Sequence, residues 1–318
     1  MAPNLVDLFC GAGGFTRGFH MAGFRPALAI DNDPDCIESY SINFPQAITL
    51  EKDIRRINGR DLIEILGRDI DVVIASPPCE AFTTVSRNIM KDPLDRLYTD
   101  PRGRLTLKAI ELIGDIKPEI FVIENVPGIT IDPIPRFIEK ELERVGYEKI
   151  YFNLLKAEDY QTPSVRRRVF ISNVKIQPER NRRNVRVWEA IGDLPDPRYP
   201  NDIENHFYVP LPHRFRRKIS RVKWGGALDY FLGGNLREYK QYIRLHPNRL
   251  APTIMGKSRF IHPYEDRLIT VREQARLMGY PDEHIFRGGI EKMYNQVGES
   301  VPPTLAYAIA REIYRILV

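Results

Sequence analysis

Cysteine is scarce in this chain: there are three in 318 residues, and Cys10, Cys36 and Cys79 share no CxxC spacing. That excludes a disulfide framework and a cysteine-built zinc site, so each thiol is judged alone and no metal is expected. Long apolar runs are also missing, since none approaches the roughly 20 residues that a bilayer span requires. The opening MAPNLVDLF has neither the basic region nor the cleavage site of a secretory signal, and no internal repeat or low-complexity segment follows. These absences point to a soluble, cytoplasmic protein, expected to act as a monomer without a membrane partner.

What is present is a 43% hydrophobic composition, enough for a substantial core, and a net charge of +5. The basic residues are concentrated in SVRRRVF, PERNRRNVRVW and HRFRRKISRVKW, where arginines outnumber lysines and aromatic residues are interleaved. Arginine neutralises phosphate and stacks on bases, so these runs suit a polyanion; a solvated basic face would look the same.

The first half alternates short apolar runs (NLVDLF, FRPALAID, AITLEKDI, DVVIAS, IFVIEN, RRRVFISN) with helical patterns over 15–23, 35–43, 59–67, 104–116 and 135–145. Such alternation predicts a mostly parallel, doubly wound α/β sheet, with ligands bound beyond the carboxyl ends of its strands. The chemically interesting groups follow strands in that way: Gly11, Asp31, Asp53, Cys79 and Glu124. Residues 178–248 are rich in proline and arginine without clear periodicity, which predicts a small irregular second domain with a turn at FLGGN. The first domain is then 1–177 plus 249–318. It resumes with a capped helix, where Thr270 precedes Glu273 as in a capping box, and ends with a helix opened by Pro302 and Pro303.

DLFCGAGGFTRGF reads as strand, glycine-rich turn and helix, a backbone able to approach a ligand closely and to offer N–H groups to an anion. The spacing is not the GxGxxG of dinucleotide binders, which weakens an NAD-dependent oxidoreductase reading. Asp31 is placed to accept from a ribose diol, and Asp53 from an adenine amino group. Cys79 is open to two readings, buried packing or a nucleophile whose thiol must be activated by cations or helix ends. Glu124, at the end of a buried strand, is a candidate proton carrier, because desolvation favours its neutral form. Adjacent strand ends would bring the two to one cleft.

DLFCGAGGF, PPCEAFT, ENVPG, RRRVFI, LAPTIMGKSRF, LITVREQARLMGYPD and QVGESVPP occur in this order and resemble the cytosine-C5 methyltransferases over nearly the whole chain outside 178–248. The resemblance implies a Rossmann-like S-adenosylmethionine-dependent methyltransferase fold. It places the methionine part of the cofactor among Phe9, Gly11, Ala12, Gly13 and Gly14. It further implies Asp31 at the ribose, Asn32 beside the adenine and Asp53 with Ile54 at its edge, with Pro78, Leu105, Ser300 and Val301 closing the site. Family members often carry an aromatic residue where Asn32 stands, a glutamine at Glu80 and at Ser164, and an asparagine at Glu299.

The implied chemistry starts from the weak nucleophilicity of cytosine C5. Cys79 thiolate adds to C6, Glu124 holds the N3 edge protonated, and Arg166 and Arg168 contact the base and support the catalytic groups. Methylation, loss of the C5 proton and departure of the thiolate follow, leaving S-adenosylhomocysteine. A base stacked in double-stranded DNA has to be flipped out for this reaction. By the same resemblance 178–248 is the target-recognition domain, short beside those of many restriction-system members, with Arg214, Arg216, Arg217, Lys218, Arg221 and Lys223 on phosphates or bases. Two alternatives stay open on the sequence: a tRNA substrate, and a catalytically silent regulator that binds cofactor and nucleic acid.

Overall fold

The computed structural model describes residues 2–67, 70–83, 86, 89–181 and 183–318. Its apolar runs become β1 (Asn4–Leu8), β2 (Arg25–Asp31), β3 (Ile48–Glu51), β4 (Val72–Ala75) and β5 (Ile120–Asn125). Between them lie α1 (Gly14–Met21), α2 (Pro34–Asn43), α3 (Gly59–Leu66), α4 (Pro93–Tyr98) and α5 (Arg104–Ile116). After β5 come α6 (Ile134–Arg144), β6 (Tyr151–Lys156) and β7 (Arg167–Ser172). The seven strands are ordered β3-β2-β1-β4-β5-β7-β6, with β1–β5 parallel and β7 antiparallel to both of its neighbours.

Strands such as VVIA and IFVIEN are buried at every position because helices cover both faces of the sheet. On one face Val73, Phe121 and Ile123 join apolar residues of α3, α5 and α6. On the other, Leu5, Ile74 and Val122 meet α1 and the C-terminal helix α10 (Pro303–Leu317). The five helices expected between strands form within a residue or two of their expected ends. The edge strand β6 escaped the sequence reading. One side of it faces solvent, and Leu154 is 57% exposed, so its pattern is neither alternating nor continuously apolar.

The stretch 178–248 is more regular than its composition suggests. It contains α7 (Val187–Ile191) and a hairpin of β8 (Ala227–Leu232) with β9 (Glu238–Arg244), closed at FLGGN by Gly233 N donating to Arg237 O (2.8 Å). β10 (Phe260–Ile261) adds to β9 in parallel. Val187, Phe215 and Ile219 pack in one apolar core with Ile254, Phe260 and Leu277, and with Tyr294 and Val297. Residues 178–248 therefore share their core with α8 (Val271–Leu277) and α9 (Ile290–Glu299), which lie outside that stretch. The capping box at α8 forms as expected, with Glu273 N donating to Thr270 Oγ1 (3.1 Å) and Thr270 N to Glu273 (2.6 Å). Among the described residues, no helix is long and apolar enough to cross a membrane.

Candidate active site

Register brings the strand ends together: Leu8 lies opposite Ile30 on one side and Ala75 on the other, and Ala75 lies opposite Ile123. The chain leaves β1 through Phe9, whose φ of 64° is uncommon for a side chain of that size. Gly11 N then donates to Asp31 Oδ2 (2.8 Å) and Asp33 N to Asp31 Oδ1 (3.0 Å). A carboxylate offers about four acceptor positions, so Asp31 keeps capacity for a further ligand. Burial pushes its carboxyl up, and the backbone N–H groups of Asp33, Gly11 and Asn32 oppose that.

A cleft of about 230 Å³ opens over these strand ends. Seven residues expected from the sequence line it: Phe9, Asp31, Asn32, Asp53, Ile54, Pro78 and Leu105. Lys52, Arg55, Pro101 and Arg102 line it as well and were not anticipated, although Lys52 and Arg55 flank Asp53 in the chain. Asp53 is half of an ion pair: Arg55 Nε and Nη2 donate to its two oxygens, and this holds its carboxyl down at about 2. Arg102 pairs with Asp100 (2.6 Å) at the same rim.

Gly11, Ala12, Gly13 and Gly14 continue from the cleft to the start of α1. A Cβ at Gly14 would fall 2.3 Å from the Tyr280 hydroxyl and 2.7 Å from the Val301 carbonyl, so this close approach requires glycine. Ser300 and Val301 are thereby set against the glycine-rich turn, as expected. The Ala12 carbonyl accepts from His284 Nε2 (2.9 Å), while Arg17 Nε donates to His284 Nδ1 (3.0 Å). Burial and the neighbouring guanidinium push this imidazole far down, which agrees with a neutral ring.

Cys79 follows β4 and Glu124 ends the adjacent β5. Phe82 N and Thr83 N donate to the Cys79 carbonyl (2.9 and 3.1 Å), which curls the cysteine loop. Gly128 presses on that loop, where a Cβ would lie 1.9 Å from the Phe82 carbonyl; the glycine of ENVPG thus lets the two loops touch. The Cys79 thiol is pushed up to about 11, first by burial, then by the charge of Glu124 against the pull of Arg168, with Glu80 adding to the rise. Without ligands the group is a thiol, not the activated thiolate that an attack needs. Burial is the main reason, and the two carboxylates beside it add to it.

Glu124 is 6% exposed, and Arg168 Nε pairs with its Oε1 at 2.8 Å. Burial alone, the basis for expecting a proton on this group, therefore leaves out the guanidinium. Arg166 differs from the paired role expected of it. It is buried and donates to four backbone carbonyls, from Nη1 to Ile254 (2.7 Å) and Gly298 (3.1 Å) and from Nη2 to Glu299 (3.5 Å) and Ser300 (2.8 Å). Burial and the like charge of Arg168 lower it to about 9. Ser164 lies in a bridge with Ala251 and donates to Met278 Sδ (3.9 Å). Glu299 packs on Gly256, and its carboxyl is raised by burial and by Glu80, with Lys257 opposing.

The basic candidates sit on two short turns, His213–Phe215 and Ile219–Arg221, anchored by the buried Phe215 and Ile219. Arg214, Arg216, Arg217, Lys218, Arg221 and Lys223 are all exposed. Among the described residues Arg214 pairs with Asp229 (3.0 Å), and the other five carry no ion pair.

Comparison with known proteins adds a common theme. The family model described as C-5 cytosine-specific DNA methylase matches residues 4–315. The chain is 44% identical to M.MjaORF1200P of Methanocaldococcus jannaschii, over 98% of this chain and 97% of that protein. It is 31% identical to Type II methyltransferase M1.HphI of Haemophilus parahaemolyticus, over 99% and 88%. Among solved structures it resembles in fold a prophage-encoded protein from E. coli (TM-score 0.80, 24% identity, 99% of both chains). S. pombe Dnmt2 methyltransferase is similar in fold too (TM-score 0.69, 17% identity, 99% of both chains).

Proposed function

The chain belongs to the C-5 cytosine-specific DNA methylase family and methylates DNA at cytosine C5, and from that premise we propose how its residues divide the work. The observation that carries the assignment is the joining of Cys79 and Glu124 on adjacent strand ends, with Arg168 on Glu124 at 2.8 Å. Cys79 Sγ forms a bond to cytosine C6, which makes C5 enamine-like. Glu124 holds a proton at N3 as charge develops there, and Arg168 fixes the orientation of that carboxylate. After methylation a base takes the C5 proton, and the Cys79–C6 bond breaks to release the thiolate. A cytosine in a duplex exposes neither face of this bond, so the base must leave the stack. Arg166 is a positioning residue, holding two chain segments, at Ile254 and at Gly298 to Ser300, around the site through their carbonyls.

S-adenosylmethionine suits the cleft: an apolar slot between Phe9, Ile54, Pro78 and Leu105 for a purine, and spare acceptor capacity on Asp31 for a diol. Gly11 to Gly14, Ser300 and Val301 would take its methionine end, with Asn32 and Asp53 at the adenine. When bound, it supplies an electrophilic methyl group on a sulfonium. We assign DNA recognition to 178–248 and catalysis to 1–177 plus 249–318; the loop at 252–258, α8 and α9 of the latter share the core of the former. The exposed residues Arg216, Arg217, Lys218, Arg221 and Lys223, with Arg214, would contact phosphates.

Parallel assays with tritiated cofactor on duplex DNA and on bulk tRNA test the reading. Label in DNA, lost when the six basic residues are reversed in charge and the salt dependence flattens, is the expected result. Label in tRNA alone would overturn the substrate.

A further inference from the structure

We propose that the groove between the β8–β9 hairpin and the loop 252–258 is a second nucleobase site, which takes a base flanking the reacting cytosine and thereby selects the sequence methylated. This rests on the DNA cytosine reading above.

The groove has a volume of about 470 Å³. Its floor is the cross-strand pair Phe231 and Tyr239, stacked with ring centroids 5.4 Å apart and planes 20° from parallel. Both rings are partly exposed. The two rings stack face to face, and a base can extend such a stack, the interaction that exposed aromatic rings offer a nucleobase.

Lys240, Lys257 and Arg259 line the groove and no carboxylate does. Lys240 Nζ is spent on the Gly225 carbonyl (2.8 Å), and Arg259 donates to Gly256 O and Ser258 O and pairs with Glu291. The Lys257 ammonium has no hydrogen bond or ion pair among the described residues. Gln241 donates from Nε2 to Lys257 O (3.0 Å), which leaves its Oε1 to accept from a base amino group. The groove thus offers an aromatic stack, an acceptor and an uncommitted cation. That combination suits a nucleotide better than an apolar peptide.

The same loop is also a wall of the catalytic site. Its Ile254 carbonyl holds Arg166, Gly256 backs onto Glu299, and Thr253 Oγ1 donates to Val165 O (2.8 Å), next to Arg166. A polymer with one base at Cys79 would therefore bring its neighbours past this wall, and the occupant is the same DNA.

The test first locates the wild-type target by bisulfite sequencing, then measures kcat and KM on duplexes altered at each flanking position. Tyr239→Ala is expected to raise KM about 10-fold with a smaller change in kcat, and to flatten preference at one flanking position. Tyr239→Phe, which keeps the ring, retains that preference. 2-Aminopurine placed there changes fluorescence on binding the wild type and not on binding Tyr239→Ala. Lys257→Ala, on the surface and safe for folding, lowers the slope of log affinity against log salt by about 1. The proposal is overturned if Tyr239→Ala and Lys257→Ala keep the wild-type flanking preference and salt slope. A wild type that labels no DNA cytosine instead overturns the reading on which it rests.

Discussion

The ends of β1–β5 and the β8–β9 hairpin hold their functional groups by different means. Asp31 and Glu124 stand at the ends of β2 and β5, and Cys79 four residues beyond β4, on strands that are buried and locked in register on both sides. Each loop is then cross-tied, Gly11 to Asp31, the cysteine loop to Gly128, and Glu124 to Arg168. The hairpin rests on a three-stranded sheet whose third strand is two residues long, and its outer half faces solvent. The first arrangement holds the proposed reacting groups in place; the second presents a surface whose exposed side chains can change without disturbing the sheet beneath.

The sharpest way to break this contrast is at Cys79. Cys79→Ala should lower turnover on the order of 10⁴-fold or more while leaving cofactor affinity intact by calorimetry. An oligonucleotide containing 5-fluorocytosine should become covalently attached to the wild type and not to this variant. Turnover within 10-fold of wild type would mean that the strand-end thiol is packing. A smaller effect is expected at the other end of the same row. Asp31→Asn should weaken cofactor binding roughly 10-fold, the scale of a charge-assisted hydrogen bond, with the flanking-base preference unchanged. A loss of preference there would show that the two regions are not separable.

The smallest effect concerns pH. The Cys79 thiol titrates at about 11, so alkylation by iodoacetamide should keep rising with pH towards that value in the ligand-free protein. Removing a negative neighbour favours the thiolate, so Glu80→Gln moves the midpoint down; removing a positive one, as in Arg168→Ala, moves it up. Cys10 and Cys36 are held higher still, so peptide mapping should find the first label on Cys79. A midpoint unmoved by Glu80→Gln would show that this carboxylate does not act on the nucleophile.

The strand-end half was largely legible in the sequence, for a physical reason. Parallel strands return their carboxyl ends to one edge, so the residues that close each apolar run land in the same cleft, as Phe9, Asp31, Asp53 and Pro78 do, with Leu105 reaching it from α5. The same rule set Cys79 beside Glu124, and motif resemblance then supplied their chemistry. What stayed hidden depends on contacts between distant segments. The stack of Phe231 on Tyr239, the fit of Glu299 against Gly256 and the carbonyl bonds of Arg166 leave no periodic trace in the chain. β6 was missed because an edge strand satisfies neither the alternating nor the fully apolar pattern. The splitting of Arg166 from Arg168 could not be read either, since Arg168 lies within β7 while Arg166 precedes it and turns to carbonyls of distant segments.

Arg166 grips the loop at 252–258 by the Ile254 carbonyl, an atom that every amino acid carries. Side chains of that loop can therefore change while this bond is kept, except at Gly256, where Glu299 packs too closely for a Cβ. The hold on the loop belongs to the backbone and not to any one side chain of it.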